Sequence, residues 1–177
     1  MLKIRLEEEK DFGEVFHVIE KAFQKIEFTD HQEQFLVERL RKSDAFIPEL
    51  SLVAENGNEE IIGHILFTKI KITNNSETFE SLALAPVSVK PEFQNMGIGS
   101  KLINKGHQIA KELGYQSVIL IGHEKYYPKF GYVKTSNFGI SFPFEVPEEN
   151  GMALELIKDS LKNVKGVVQY AKEFNIN

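Results

Sequence analysis

The chain contains no cysteine. Disulfides, thiolate nucleophiles and cysteine metal sites are therefore excluded, and any acyl transfer must proceed without an acyl-cysteine intermediate. A basic run is also missing. The 21 Lys and Arg against 26 Asp and Glu leave a formal net charge of −5, which argues against nucleic acid as the main partner, because phosphates favour a basic face. The same balance is compatible with a cationic amine substrate. No apolar stretch is long enough to span a bilayer. The start, Met1-Leu2-Lys3-Ile4-Arg5-Leu6-Glu7-Glu8-Glu9, turns acidic at once, unlike a signal peptide. A cytoplasmic protein without a membrane partner is expected. His17, His31, His64 and His107 show no metal-ligand spacing, so no metal is expected.

What is present is the composition of a soluble globular protein, 42% apolar and 27% charged over 177 residues, enough for one domain with a sizeable core. No repeat or low-complexity linker marks a boundary, so residues 1–177 read as a single domain. Leu2, Ile4 and Leu6 alternate with Lys3 and Arg5 as in a strand. Asp11 is placed to cap a helix carrying Phe12, Val15, Phe16, Ile19 and Phe23. A second helix is expected over Asp30–Lys42 with Phe35, Leu36 and Leu40 on one face. Strands follow at Ser51–Glu55, Ile61–Ile72 and Thr78–Val89, separated by the turns Asn56-Gly57-Asn58 and Asn74-Asn75-Ser76. A third helix is expected over Ile98–Leu113, with Gly106 close-packed on its buried side and Gly114 as the stop. Ser117–Ile121 reads as a buried strand, Tyr126–Phe130 as one helical turn closed by Gly131, and Tyr132–Lys134 and Ala153–Leu156 as further β segments. Hairpins followed by a β-α-β unit predict a mixed sheet with helices on both faces.

The most informative string is Gln94-Asn95-Met96-Gly97-Ile98-Gly99, between the apolar strand ending Pro86-Val87-Ser88-Val89 and the third helix. Two glycines at such a junction allow a tight bend and close backbone approach, and the helix N-terminus offers unpaired N–H groups with partial positive charge. That combination suits a phosphate or pyrophosphate. A dinucleotide fingerprint fails because the third glycine position is Leu102, and no Walker lysine string occurs.

The pattern Gln-x-x-Gly-x-Gly resembles the acetyl-CoA loop of the GNAT superfamily of N-acetyltransferases. Tyr126-Tyr127-Pro128-Lys129-Phe130-Gly131-Tyr132 is similar to the Tyr-x-Lys-x-Gly-Phe/Tyr segment that follows the fifth strand in that superfamily. The Ile-Arg start, the Asp-led helix ending Ala22-Phe23, Pro86 to Gln94, Met152-Ala153-Leu154-Glu155-Leu156 and the tail from Gly166 to Phe174 resemble its YhbS-like branch. The resemblance spans nearly the whole chain and is most specific from Leu82 to Tyr132. It implies an α+β, three-layer αβα GNAT fold with a mixed, mostly antiparallel sheet splayed between strands 4 and 5. It also implies an acetyl-CoA-dependent N-acetyltransferase acting on a primary amine of a small molecule or peptide N-terminus.

By the same resemblance, backbone groups at Val87 and Val89, with Ser88 between them, pair with the pantetheine arm like an added strand. The N–H groups of Asn95, Met96, Gly97, Ile98, Gly99 and Ser100 surround the pyrophosphate, and Gln94 reaches it through its amide. Tyr127 and Phe130 complete the expected cofactor contacts. Tyr127 is the implied general acid, with Tyr126 the competing assignment. Glu80 and His123 are alternative bases, and an amine entering deprotonated needs neither. Phe142 and Phe144 read first as ordinary packing and alternatively as acceptor-pocket walls. A non-catalytic acyl-CoA sensor, an enzyme for a longer acyl-CoA, and an unrelated nucleotide-binding protein are the rival readings. A homodimer is left open.

Overall fold

In the computed structural model, which describes residues 1–175, the chain forms nine strands and three helices. Residues 176–177, included in the expected domain, lie outside the described part. The strands are β1 (Lys3–Leu6), β2 (Phe46–Glu55), β3 (Ile61–Thr73), β4 (Thr78–Val89), β5 (Ser117–Ile121), β6 (Val133–Lys134), β7 (Ile140–Ser141), β8 (Gly151–Glu155) and β9 (Gly166–Gln169). The helices are α1 (Phe12–Phe23), α2 (Glu33–Leu40) and α3 (Ile98–Glu112). Together they make a mixed, mostly antiparallel open sheet accompanied by three helices. Among the described residues no helix is long and apolar enough to cross a membrane.

The chain gathers into two compact units. The first is Met1–Thr68 with Ala85–Ile109; the second is Lys69–Leu84 with Ala110–Asn177. β3, β4 and α3 each begin in one unit and end in the other.

In the first unit β1 pairs antiparallel with β2, and β2 with β3. α1 buries Val15, Val18 and Ile19, the i, i+3, i+4 stripe of an amphipathic helix. Phe12 and Phe16, expected on that stripe, are half-buried beside it; the Arg41 guanidinium lies 4.0 Å over the Phe12 ring. Asp11 does not cap α1 with its side chain. Its carboxylate instead accepts both Arg5 Nη1 (2.7 Å) and Nη2 (2.9 Å), together with the Glu8 N–H (2.8 Å). A bidentate guanidinium partner outcompetes a neutral amide. α2 is shorter than expected. Asp30 accepts the Gln32 N–H (3.0 Å) and His31 adopts φ +58°, so the chain turns before the helix starts. Its buried side is Gln34, Val37 and Leu40, while Phe35 is 40% exposed, one position off the expected face.

In the second unit β3 pairs antiparallel with β9, and β9 parallel with β7. β5 pairs antiparallel with β8, and β8 with β6. β4 and β5 run parallel, with Leu82 opposite Val118 and Ala83 opposite Ile119. The core of this unit gathers Ile70, Ile72, Ala83, Ile119, Ile140, Ala153 and Val168, with Phe79, Phe142 and Tyr170 packed against it. β7 and β9, two and four residues long, lie outside the segments that the sequence marks as strands.

Candidate functional site

In the first unit β4 leaves its cis Ala85–Pro86 bond, continues to Val89, passes through a short 3₁₀ turn at Pro91–Phe93 and enters the glycine loop. Asn95 (φ +63°) and Gly97 (φ +80°) both take left-handed backbone, which turns the chain sharply into α3. A Cβ on Gly97 would meet nothing within 4 Å; the loop is open there, and the glycine serves backbone conformation and approach. The first i→i−4 bond into the helix runs from the Lys101 N–H to the Gly97 carbonyl (3.1 Å). The amides of Ile98, Gly99 and Ser100 precede it and have no intrahelical acceptor.

Packing fixes this helix N-terminus against the strands. A Cβ on Gly63 of β3 would sit 3.1 Å from Leu102 Cδ1, 3.2 Å from Ile98 Cγ2 and 3.2 Å from the Ser88 carbonyl. A Cβ on Gly106 would collide with the ring of Phe67, which is fully buried. The expected close packing of Gly106 is thus realised.

Gln94, expected to reach phosphate, spends its amide inside the loop: Nε2 donates to the Val89 carbonyl (2.9 Å). That bond ties the loop to the end of β4 and occupies one lone pair of a carbonyl expected to face the pantetheine arm. Ser88 is buried and its hydroxyl has no hydrogen-bond partner among the described residues, a costly state for a buried group.

In the second unit the Tyr127–Phe130 turn is 3₁₀ and closes on Gly131 at φ +97°. Tyr127 is buried, edge-on to Tyr126 (5.0 Å, 90°) and to Tyr132 (5.8 Å, 76°). Gly122 leaves room for it, since a Cβ there would collide with the Tyr127 ring. Burial, and secondarily Tyr126, pushes the Tyr127 phenol above its ordinary value of 10, so it holds its proton at neutral pH. Phe130 lies 6.5 Å from Tyr127, centroid to centroid. Tyr126 is less buried and carries Lys129 Nζ 4.1 Å over its ring.

The two expected bases are both exposed. His123 Nδ1 accepts the Lys125 N–H (3.1 Å). Glu80 stands on β4. No hydrogen bond joins either to Tyr127 among the described residues. Among those residues no cluster of His, Asp and Glu could hold a metal ion.

Sequence reading missed a buried polar network in the first unit. Glu7, 1% exposed at its side chain, pairs with Arg41 Nη2 (2.5 Å) and accepts the Ser51 hydroxyl (2.7 Å). His64 Nε2 lies 3.1 Å from Ser51 Oγ. Because the Ser51 proton goes to Glu7, His64 donates from Nε2, and its Nδ1 is left without a partner. Burial drives His64 down to about 4, against the opposing pull of Glu7. The signal available was a lone histidine inside the apolar run Ile61–Phe67, but its partners are 13 to 57 residues away in sequence.

Comparisons with known proteins agree on one family. A family model described as an acetyltransferase (GNAT) domain matches residues 3–134. The N-acetyltransferase YjhQ of Escherichia coli K12 is 33% identical over 143 residues, covering 76% of this chain and 78% of that protein. YhbS of the same strain is 27% identical over 148 residues, 84% and 86% of the two chains. Among solved structures, a GNAT family acetyltransferase from Brucella melitensis in complex with acetyl-CoA is 30% identical with a TM-score of 0.81, covering 98% of each chain. E. coli YhbS in complex with CoA superposes with a TM-score of 0.88 at 24% identity, over 99% of this chain and 92% of that one.

Proposed function

The chain belongs to the GNAT acetyltransferase family and is an N-acetyltransferase, and from that premise we propose that it transfers acetyl directly from acetyl-CoA to a primary amine of a small molecule or peptide N-terminus. The observation that carries the cofactor half of this reading is the glycine loop. Two left-handed residues, an open face at Gly97 and three helix amides without intrahelical acceptors make a cradle for a pyrophosphate. The half-buried backbone of Val87 and Val89 suits an amide-bearing arm laid along β4. A Brucella relative crystallised with acetyl-CoA supports the same cofactor.

When bound, acetyl-CoA supplies an activated thioester. The residues of this chain then have separate tasks. The loop amides of Asn95 to Ser100 neutralise phosphate charge and fix the cofactor's position, and orientation supplies much of the acceleration. In this reading backbone N–H groups near Val87 polarise the acyl carbonyl. Tyr127, protonated throughout the working range, holds a proton for the leaving sulfur. Glu80 or His123 removes one from the attacking amine, and an amine that arrives neutral needs neither. With no cysteine in the chain, direct transfer is the simplest route. In this reading residues 1–177 form one such domain in a cytoplasmic setting; the family match, residues 3–134, includes residues of both units.

The test is calorimetry with acetyl-CoA, CoA, ATP and NAD on the full chain, then a free-thiol assay over an amine panel. Selective acetyl-CoA binding with acceptor-stimulated thiol release is expected. Binding without release would identify a sensor, and no binding would remove the cofactor assignment. Gly97→Glu, which places a carboxylate in the cradle, is expected to weaken acetyl-CoA by roughly tenfold or more, about 1.4 kcal/mol.

A further inference from the structure

A cavity of about 310 Å³ lies wholly within the second unit, at the lower end of small-molecule sites, about 300–1,000 Å³. Phe142 and Phe144 line it, with Gly151 of β8 behind them. The missing side chain at Gly151 is what admits the Phe142 ring, whose Cζ would be 3.3 Å from a Cβ there. Phe144 is 40% exposed and lies in a row of rings, 6.2 Å from Phe142 at 32° and 6.0 Å from Tyr170 at 22°. Two carboxylates share the lining, Glu145 and Glu148. Ser136 Oγ donates to Glu148 Oε1 (2.9 Å) and so orients it. No Lys, Arg or His lines the cavity among the described residues, and no ion pair engages either carboxylate. Aromatic walls with unopposed negative charge match one ligand chemistry, an alkylammonium with apolar methylenes.

The cavity adjoins the end of β5. Gly151 pairs with Ile121. Next to that pair, the Gly122 N–H donates to the Asn150 carbonyl (2.9 Å) and Asn150 Nδ2 donates to the Gly122 carbonyl (3.0 Å). A nitrogen attacking a thioester must be neutral, whereas this pocket favours a charged one. The two demands fall on different nitrogens. We infer that the acceptor is a small-molecule diamine whose non-reacting ammonium docks between Phe142, Phe144, Glu145 and Glu148. That the occupant is the acceptor rests on the acetyltransferase reading above.

The probes are 1,5-diaminopentane, pentylamine and 1-pentanol, which share a chain length and carry two, one and no ammonium groups, titrated into the full chain by calorimetry and by the ring resonances of Phe142 and Phe144. Acetyl-CoA binding is measured on the same samples. Both amines are expected to bind at least tenfold more tightly than the alcohol without acetyl-CoA present, to shift those ring signals, and to lose that preference in Glu145→Gln/Glu148→Gln and in Phe144→Ala. With acetyl-CoA, the diamine is expected to be acetylated at least tenfold faster than pentylamine, whose one nitrogen the pocket holds charged. Phe144, Glu145 and Glu148 are exposed, and a thermal melt confirms that the variants fold. Equal binding of amine and alcohol by the unsubstituted protein overturns the proposal, as does a preference that survives both variants or equal acetylation of the two amines. Amine selectivity with no acetyl-CoA binding would uphold the cation pocket and fail the enzymatic reading. Acetyl-CoA binding without amine selectivity would do the reverse.

Discussion

At Tyr127 and Gly106 a single side chain, or the lack of one, settles the local outcome. Tyr127 is walled by Tyr126, Tyr132 and the bare backbone of Gly122, so Tyr127→Phe keeps the packing and removes only the hydroxyl. If Tyr127 is the acid, turnover falls by about 10²-fold while the acetyl-CoA Kd changes less than about twofold. Single-turnover rates and calorimetry separate the two, and unchanged turnover would strike Tyr127 from the mechanism. Gly106→Ala tests packing alone. Helix propensity favours alanine by about 1 kcal/mol, but the added methyl enters the ring of Phe67, and overpacking costs about 1–3 kcal/mol. Net destabilisation of about 1 kcal/mol in a urea melt is expected; a stabilised variant would mean that Phe67 moves aside freely.

Gly114 gives the corresponding test for a whole element. It ends α3 at φ +93°, and a Cβ there would meet nothing within 4 Å. Gly114→Ala is therefore expected to cost about 1 kcal/mol through backbone conformation alone, with cofactor affinity unchanged. Elements also show how much was legible beforehand. β4, β5 and the start of α3 fell where expected, because long apolar runs bounded by glycine, proline and asparagine carry their own punctuation. β2 began five residues earlier than the alternation indicated, since Pro48 and Glu49 interrupt the pattern while the backbone stays extended. The buried side of α2 was misjudged by one position: Phe35 is more hydrophobic than Gln34, yet tertiary placement put Gln34 inside.

Across the molecule, buried histidine makes stability depend on pH. His64 and His107 are both held down to about 4 by burial, against an ordinary value of 6.5. The unfolded chain then binds protons that the folded one refuses between those values, so stability is complete above pH 6.5 and is lost as pH falls toward 4. Asp11 has the opposite charge type and the same direction. Its carboxyl is lowered by Arg5, and the stability it contributes is lost only as pH falls below the ordinary carboxylate range near 3.8. The melting temperature is expected to fall through the first window before the second opens. His64→Asn should flatten the first slope, and an unaltered slope would mean that His64 titrates freely in the folded state.

The sequence by itself determined the composition class, the absence of thiol chemistry, the order of the main strands and helices, and the glycine loop. Those features are local: a period, a φ preference or a missing side chain acts within a few residues. Only the tertiary structure decided that Gln94 ties the loop to Val89, that Arg5 claims Asp11, that Ser88 is left unpartnered, and that Glu7, Arg41, Ser51 and His64 share one buried network. It also decided that Phe142 and Phe144 border two unopposed carboxylates. Each of those depends on which distant groups compete for the same hydrogen bond or the same buried volume. That competition is resolved by packing, and no stretch of chain carries it alone.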